Sequence, residues 1–234
     1  MSPNHPAAST CRRVGAAIAI VASAVAVVIV AVLMVVRPWE SQGATGAQPR
    51  AAETAPPAVL VDETTHVLDD AGPDAPVVVE FLDFECEVCG AVFPTMEELR
   101  EEYAGQVTFA VRYFPLPGHF NSGNAAVAVE AAARQGQFEA MYRRMFETQA
   151  EWGEGRTSEA ARFRSYADDL GLDMAAFDAA VADPATLARV EHDFRAGMDL
   201  GVTGTPGIFV DGEQLQLSRL ADIEAAIQVA LEGG

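Results

Sequence analysis

The order of the predicted elements indicates an α/β domain that carries one block of inserted helices. Two strand patterns, "VVVEFLDF" and "QVTFAVRYF", open the domain on either side of a helix pattern. A long stretch of helical patterns follows, and the chain ends with "GIFVDGEQL", a strand, turn and strand, before a final helix. A β-α-β beginning and a β-β-α end, interrupted by one insertion, are typical of the α/β class.

An apolar segment precedes this domain. Residues 14–36 contain no charge and consist almost entirely of Val, Ala and Ile. About 20 apolar residues are enough for a helix to cross a bilayer, so we predict a transmembrane anchor. Arg12 and Arg13 precede the segment and Arg37 follows it. This bias predicts that residues 1–13 are cytoplasmic and that the chain after the anchor is extracytoplasmic.

The alternative is a cleaved secretory signal, whose apolar core normally spans about 7–15 residues. The core here is longer, and "RPWE" at residues 37–40 is a poor cleavage site, although small residues follow at 44–47. Both interpretations export the remainder of the chain. Cys11 precedes the apolar segment, so it does not form a lipoprotein signal, and we expect it to be an incidental thiol.

Residues 37–58 are rich in Pro, Ala, Gly, Gln and Thr and predict a flexible linker. The remaining residues, 59–234, have the length of a single extracytoplasmic domain. The part of the chain after the anchor holds all 34 acidic residues against 13 arginines, and the chain has no lysine. Such an acidic surface repels nucleic acid, which argues against a nucleic-acid partner.

Within the domain, residues 59–61 predict a short leading strand. Residues 77–84 predict a buried strand, because β-branched and aromatic residues form a run after Pro76. A helix with one apolar face follows, and that face consists of Val92, Met96, Leu99 and Tyr103. Alternating apolar residues then predict a second strand over residues 106–114.

The helical insertion spans about residues 121–200. Its aromatic and methionine residues recur at helical spacing, and we expect them to pack in a core instead of forming a cofactor site. Asp173 begins one helix and Asp183 another, because aspartate caps a helix N-terminus and Pro184 suits the first turn. Ser218 is expected to cap the last helix of the chain.

The segment "FLDFECEVCG" holds Cys86 and Cys89 where the buried strand ends and the next helix begins. Unpaired N–H groups and the positive end of the helix dipole stabilise an anion at such a position. Because the thiolate is the reactive form of cysteine, the position activates Cys86. Cys89 lies one turn deeper and can close a disulfide, so Cys86 is expected to exchange with substrate and Cys89 to resolve the mixed disulfide.

Two other interpretations of the cysteine pair are a zinc site and two inert buried cysteines. Zinc needs two further ligands, and only His66, His119 and His192 are available after the anchor, with no second C-x-x-C. Exported proteins lie in an oxidising space, and this closely spaced pair suits a single reversible bond. We therefore expect no metal and no cofactor.

The stretch "VEFLDFECEVC" resembles the active-site sequence of the DsbA-like thiol–disulfide oxidoreductases of the thioredoxin superfamily, particularly their membrane-anchored bacterial forms. "RYFPLPGHFNSGNAA" is similar to the family's passage from the second strand into its helical insertion, and "GVTGTPGIFV" to its cis-proline loop. The resemblance covers residues 76–231. It implies a thioredoxin fold with a helical insertion, here preceded by one transmembrane helix.

The resemblance also implies roles for other residues. Glu80 stands where the superfamily has a buried acid, which could relay the proton of Cys89 if burial raises its pKa; the alternative is a solvent-facing acid. Thr205 and Pro206 would be joined by a cis bond that faces the disulfide and leaves the Thr205 backbone to pair with substrate, although sequence alone favours an ordinary turn. His119 is left outside the catalytic set.

The residues between the cysteines, Glu87 and Val88, depart from the C-P-H-C of the family's strong oxidants. Glu87 follows the nucleophile directly, and Asp83 and Glu85 are close in sequence. Negative charge raises the pKa of a thiol, so we expect a less stabilised thiolate on Cys86 and a weaker oxidant.

The expected function is thiol–disulfide exchange between the Cys86–Cys89 pair and exported proteins that contain cysteines. The resemblance implies that the chain forms disulfides and is re-oxidised by a quinone-linked or other redox partner in the membrane. The first alternative is the reverse direction, a membrane-tethered reductase or isomerase. A more distant alternative is a redox-silent binding or chaperone module, against which the intact cysteine pair argues.

Overall fold

The computed structural model describes residues 60–233, which form a five-stranded sheet flanked by helices. The strands are β1 His66–Asp69, β2 Val77–Leu82, β3 Thr108–Tyr113, β4 Gly207–Val210 and β5 Glu213–Gln214. Their order across the sheet is β1-β3-β2-β4-β5. Strand β2 is parallel to β3, whereas the other neighbouring pairs are antiparallel. The central strand β2 therefore has a hydrogen-bonded partner on each side.

Seven α-helices complete the described part of the chain. They are α1 Glu87–Glu102, α2 Ser122–Ala133, α3 Phe138–Glu147, α4 Ala160–Asp169, α5 Met174–Ala182, α6 Pro184–Asp199 and α7 Ala221–Gly233. Helix α1 connects β2 to β3, and helices α2 to α6 all lie between β3 and β4 in the chain. A short 3₁₀ helix, Gln149–Glu151, follows α3.

The side chains of β2 alternate between the two faces of the sheet. Val78 packs in a core that includes residues of α1 and α7. Val79 and Phe81 pack in a second core on the opposite face, together with Phe209 of β4. Glu80 lies between those two in sequence, so it points to the face that α1 covers. The strand therefore places an acid beneath the helix that carries Cys89.

The helical insertion has an aromatic core that extends to the cysteines. Trp152 and Phe163 pack edge to face, with ring centroids 4.8 Å apart. Phe84, from the turn after β2, packs against Phe146 of α3 at a centroid distance of 5.1 Å. The same cluster of buried side chains includes both cysteines. The cysteine pair therefore lies where the sheet and the insertion meet.

The predicted β-α-β beginning, helical insertion and terminal hairpin are confirmed. Asp173 and Asp183 cap α5 and α6 through their side-chain oxygens, as expected. Asp211 and Gly212 form the turn between β4 and β5, with positive φ angles of 46° and 88°. The chain thus has the predicted α/β architecture.

Two local predictions are wrong. The leading strand predicted over residues 59–61 is absent at residues 60 and 61, because Leu60 is helical and its side chain is fully buried in a core. The first strand among the described residues begins at His66, and residue 59 lies outside them. Ser218 does not cap α7. Its N–H donates instead to Asp222 Oδ2 at 3.0 Å, so an acid inside the helix binds the chain that precedes it.

The predicted transmembrane segment, 14–36, and the predicted linker, 37–58, lie outside the described residues. Among residues 60–233, no helix is long and apolar enough to cross a membrane. The assignments of the anchor, the linker and the cytoplasmic N-terminus therefore stay predictions.

Candidate active site

The turn between β2 and α1 positions Cys86. The carbonyl of Asp83 accepts the N–H of Cys86 at 3.1 Å, and Asp83 Oδ1 accepts the N–H of Glu85 at 2.9 Å. Cys86 then has the extended dihedrals of an N-cap residue, φ −72° and ψ 120°, and α1 begins at Glu87. The sulfur is therefore attached at the end of the helix where N–H groups lack backbone partners.

The two cysteines are unbonded thiols in this structure, and Cys86 is 5% exposed whereas Cys89 is fully buried. A hydrogen bond from the Cys89 thiol lowers the pKa of Cys86 to about 6 and outweighs the effect of burial. The side chain of Thr205 and the N–H groups of Cys89 and Val88 lower this pKa further. Cys86 is therefore mainly a thiolate at neutral pH.

Cys89 keeps its proton. Burial raises the pKa of Cys89 well above that of an ordinary thiol, and the hydrogen bond to Cys86 and the charge of Glu80 act in the same direction. One sulfur thus carries the negative charge and the other carries the proton. Within residues 60–233, no group of three or more His, Cys, Asp or Glu side chains could hold a metal ion.

Glu80 is buried on the face of the sheet that α1 covers. It is 2% exposed, and its Oε1 has no hydrogen-bond partner in the described part of the chain. Burial raises the pKa of Glu80 to about 8, and the charges of Cys86 and Glu97 add to this effect. A carboxyl group with this pKa holds a proton at neutral pH and can exchange it with a nearby sulfur.

Asp83 and Glu85 are buried acids that bind the loop between β3 and α2. Asp83 Oδ2 accepts the N–H of Leu116 at 2.9 Å and contacts His119 Nδ1 at 2.7 Å. Glu85 Oε2 accepts the N–H of Asn121 at 2.5 Å. Both acids therefore hold this loop against the turn that precedes the nucleophile.

The neighbouring acids do not give Cys86 a net rise in pKa, because hydrogen bonds to the sulfur lower that pKa to about 6. The hydrogen bonds to the sulfur outweigh the acids, whose oxygens are directed elsewhere. The side chain of Glu87 is exposed and bonds to Glu154, which lowers the pKa of Glu87 and raises that of Glu154. Val88 is 52% exposed and offers an apolar surface beside the nucleophile.

His119 lies near the nucleophile and is paired with Asp83. Burial opposes a charge on its ring, but the Asp83 carboxylate, with the charges of Cys86 and Glu85, raises the pKa of His119. The side chain is 27% exposed. A partly exposed imidazole, whose protonated form is favoured by Asp83, therefore lies within electrostatic range of the Cys86 sulfur.

The loop before β4 completes the site. Thr205 and Pro206 are joined by a cis peptide bond, and the Thr205 carbonyl oxygen lies 3.4 Å from Cys86 Sγ. The Thr205 hydroxyl is buried and has no other partner among residues 60–233, so it is available to the Cys86 thiolate. The structure thus brings Glu80, both cysteines, Thr205 and Pro206 together, whereas Glu87 and Val88 face solvent.

Sequence reasoning missed Gln149, which lies in the 3₁₀ helix of the insertion. Its Nε2 donates to the carbonyl oxygens of Phe84 and Cys86, both at 2.8 Å. No motif in the sequence marks this residue, because it is 63 positions from Cys86. Only the packing of the insertion against the turn makes the contact visible.

A family model described as thioredoxin matches residues 63–229. The chain belongs to the thioredoxin family. This family comprises protein thiol–disulfide oxidoreductases, so the family and enzyme class predicted from the active-site sequence are confirmed. The α/β fold and the position of the C-x-x-C at the start of α1 agree with this membership.

Similar sequences occur within larger bacterial proteins. The chain is 34% identical over 157 residues to the Na(+)/H(+) antiporter NhaA of Herminiimonas arsenicoxydans, a match that covers 67% of this chain and 24% of the antiporter. It is 38% identical over 146 residues to the Na(+)/H(+) antiporter NhaA 3 of Salinispora tropica, a match that covers 61% of this chain and 21% of that antiporter. The matched region thus spans about a quarter of the length of these curated relatives.

Solved structures share the fold at low sequence identity. A thioredoxin-like oxidoreductase from Silicibacter pomeroyi superposes with a TM-score of 0.63 at 23% identity, covering 76% of this chain and 98% of that one. Wolbachia pipientis alpha-DsbA1 superposes with a TM-score of 0.65 at 18% sequence identity, covering 74% of this chain and 94% of that one. BdbD from Bacillus subtilis superposes with a TM-score of 0.61 at 20% sequence identity, covering 73% of this chain and 94% of that one. The DsbA-like thioredoxin fold with a helical insertion is therefore confirmed.

Proposed function

We propose that this thioredoxin-family protein oxidises cysteine pairs in exported proteins, with Cys86 as the exchanging sulfur and Cys89 as the resolving one. The observation that carries the proposal is the unequal acidity of the pair. The pKa of Cys86 is lowered to about 6, while burial raises that of Cys89 well above the ordinary range. Two sulfurs of such different acidity suit two successive exchange steps.

In the first step, a substrate thiolate attacks Sγ of Cys86 in the Cys86–Cys89 disulfide. The new bond joins the substrate to Cys86, and the Cys86–Cys89 bond breaks to leave the Cys89 thiolate. That thiolate is buried, so it takes a proton, and Glu80 lies beneath it with a pKa of about 8. The proton thus passes from a carboxyl group to a sulfur without crossing bulk water.

In the second step, another thiolate of the substrate attacks the substrate sulfur of the mixed disulfide. The substrate acquires its own disulfide, and Cys86 leaves as a thiolate. The substrate has lost two electrons, and the Cys86–Cys89 pair has gained them. A thiol of low pKa is a good leaving group, so the acidity of Cys86 favours this step.

The proposed direction of exchange rests on the stability of the reduced form. Hydrogen bonds from the Cys89 thiol, the Thr205 side chain and two backbone N–H groups stabilise the Cys86 thiolate. A stabilised thiolate stabilises the reduced pair and makes the disulfide a stronger oxidant. This supports disulfide formation over the reductase or isomerase alternative, which would need a less acidic Cys86.

The substrate would bind as an extended segment beside the cis bond. The backbone of Thr205 lies next to the sulfur and is partly accessible. An extended peptide can pair with such a backbone while exposed Val88 contacts its apolar side chains. Glu87 would contribute charge at the rim and no contact with the sulfur.

The location and recycling partner rest on the sequence. Residues 14–36 are long and apolar enough for an anchor, and the Arg residues beside them favour an extracytoplasmic domain. A membrane-tethered oxidant would be re-oxidised by a quinone-linked or other redox partner in the same membrane. Cysteine-containing exported proteins would be its substrates.

The reduction potential of the Cys86–Cys89 pair, measured against glutathione in the full-length chain, tests this function. We expect a value well above the glutathione poise, closer to the about −120 mV of a strong oxidant than to the about −270 mV of thioredoxin. A value near that of thioredoxin would support the reductase alternative. Oxidation of a reduced substrate protein by the wild type but not by Cys86→Ser would exclude a redox-silent module.

A further inference from the structure

Gln149 connects the helical insertion to the nucleophile through two backbone carbonyl groups. Its Nε2 lies 2.8 Å from the carbonyl oxygen of Phe84 and 2.8 Å from that of Cys86. One amide group therefore bridges the turn that precedes the cysteine and the cysteine itself. The backbone of Gln149 accepts the N–H groups of Trp152 and Gly153, which fixes the 3₁₀ helix that presents the side chain.

Gly90, in the first turn of α1, leaves the space that the Gln149 side chain occupies. A Cβ atom at Gly90 would lie 2.0 Å from Gln149 Oε1 and 2.8 Å from its Cδ. These distances are far inside van der Waals contact, so any other residue at this position would displace the amide. Glycine is unfavourable inside a helix by about 1 kcal/mol relative to alanine, and here the close approach of Gln149 explains its presence.

Of the two bridged carbonyls, that of Cys86 affects the electrostatic potential at the Cys86 sulfur. The carbonyl of Cys86 accepts the first hydrogen bond of α1, from the N–H of Gly90 at 3.0 Å, and so sets the orientation of the first turn. That turn supplies the N–H groups of Val88 and Cys89 that stabilise the sulfur. The negative end of the same carbonyl dipole lies close to the sulfur of its own residue. An N–H donor on this oxygen reduces that unfavourable potential.

We propose that Gln149 is a positioning residue, through which the helical insertion holds Cys86 in the geometry that lets the first turn of α1 stabilise its thiolate. Gln149 acts through the hydrogen bonds that its Nε2 donates to the Phe84 and Cys86 carbonyls. The proposal rests on the proposed function only for its effect on turnover. Its effect on the acidity of Cys86 is independent of which substrate the protein oxidises.

The test compares three residues at position 149 in the full-length chain. Gln149→Met keeps the length of the side chain and removes the donor, and Gln149→Glu replaces the donor with negative charge. The readout is the pH dependence of Cys86 alkylation, followed at the Cys86 peptide by mass spectrometry. We expect Met to raise the pKa of Cys86 by roughly half to one unit, about a three- to tenfold loss of thiolate relative to thiol, and Glu to raise it further.

Gly90→Ala provides a second route to the same change, because it displaces the Gln149 amide without altering it. Alanine is the better helix former, so this variant should fold even if a variant at 149 does not. We expect it to raise the pKa of Cys86 as Gln149→Met does. The double variant should add little to either single change, because both remove the same contact.

Gln135→Met is the matched control. Gln135 also lies in the insertion, and its Nε2 donates to a backbone carbonyl, that of Asp173, at 3.1 Å. The Gln135→Met variant should leave the pKa of Cys86 unchanged. An unaltered pKa in both Gln149→Met and Gly90→Ala would overturn the proposal, as would an equal shift in the control. A wild type that fails to oxidise substrate would contradict the proposed function alone, since the pKa comparison would still stand.

Discussion

Glu80 of strand β2 and Asp193 of helix α6 are equally buried acids with opposite surroundings. The carboxylate of Asp193 lies 2.7 Å from Arg112 Nε and accepts the N–H of Tyr113 at 3.1 Å. Glu80 has no ion pair within the described residues, and its Oε1 has no hydrogen-bond partner there. The paired acid connects the insertion to the sheet. The unpaired acid lies beneath the cysteines and retains a proton.

The difference shows that burial alone does not determine what an acid does. A buried carboxylate beside a cation forms an ion pair, and its loss removes part of the compensation of that cation's charge. A buried carboxyl group without a partner becomes neutral, because the charged form is poorly solvated. The insertion therefore contributes a structural charge, whereas the sheet contributes a group that can donate and accept a proton.

The largest expected effect comes from the nucleophile above the unpaired acid. Cys86→Ser should abolish oxidation of a reduced substrate protein, because serine cannot form the mixed disulfide. Its free energy of unfolding should be close to that of the reduced wild type. Cys89→Ser should instead accumulate mixed disulfides with substrate, visible on non-reducing gels. Residual turnover in Cys86→Ser would contradict the assignment of the exchanging sulfur.

The paired acid should show the reverse pattern. Asp193→Ala leaves Arg112 without one of its buried partners and should lower the free energy of unfolding by about 3–5 kcal/mol. Chemical denaturation measures this loss. The pKa of Cys86 should stay near 6, since Asp193 is not among the groups that shift it. A large rise in that pKa would mean that the two regions cannot be separated in this way.

The unpaired acid should be a stability cost that grows with pH. The pKa of Glu80 is raised to about 8 in the folded state from an ordinary 4.5. Between these values the unfolded chain has lost the proton and the folded chain keeps it, so wild-type stability falls as pH rises. Glu80→Gln should therefore be more stable than wild type by roughly 3 kcal/mol at pH 7, with little difference at pH 4.

The same variant should exchange disulfides more slowly, because an amide cannot supply the proton that Cys89 needs. Denaturation at several pH values and single-turnover exchange together test both effects. If the stability difference between Glu80→Gln and wild type were the same at pH 4 and pH 7, Glu80 would not be the buried proton carrier.

The smallest effect is expected at the exposed acid between the cysteines. Glu87→Gln removes a charge that solvent screens, so the pKa of Cys86 should fall by less than about half a unit. Alkylation rates at low and high salt measure the change. A shift larger than that of Gln149→Met would restore the expectation that the local acids govern the thiol.

The sequence predicted the site where the signal was local. The strand-to-helix junction at Cys86, the buried acid at position 80 and the cis bond before Pro206 all follow from short segments and from the family resemblance. Asp83 and Glu85 were expected to leave the Cys86 thiolate less stabilised, but hydrogen bonds to the sulfur outweigh any such rise in pKa, and one oxygen of each acid binds a backbone N–H group of a distant loop. Sequence proximity gave their charge but not the direction of their oxygens.

Gln149 and Asp193 could not be found in this way, since their partners lie 63 and 81 positions away. The leading strand at residues 59–61 failed for a related reason. A short apolar run fits a strand or a buried helical segment equally well, and Leu60 is helical and buried in a tertiary core. Contacts that depend on how the insertion meets the sheet need the folded structure.

Titration of the two thiols in the reduced full-length chain tests the central claim most directly. Alkylation of Cys86 and of Cys89, followed separately by mass spectrometry across a range of pH, gives the two values. We predict a pKa of about 6 for Cys86 and a value well above that of an ordinary thiol for Cys89. Equal values, or a pKa of Cys86 at or above the about 8.5 of a free cysteine, would contradict the account.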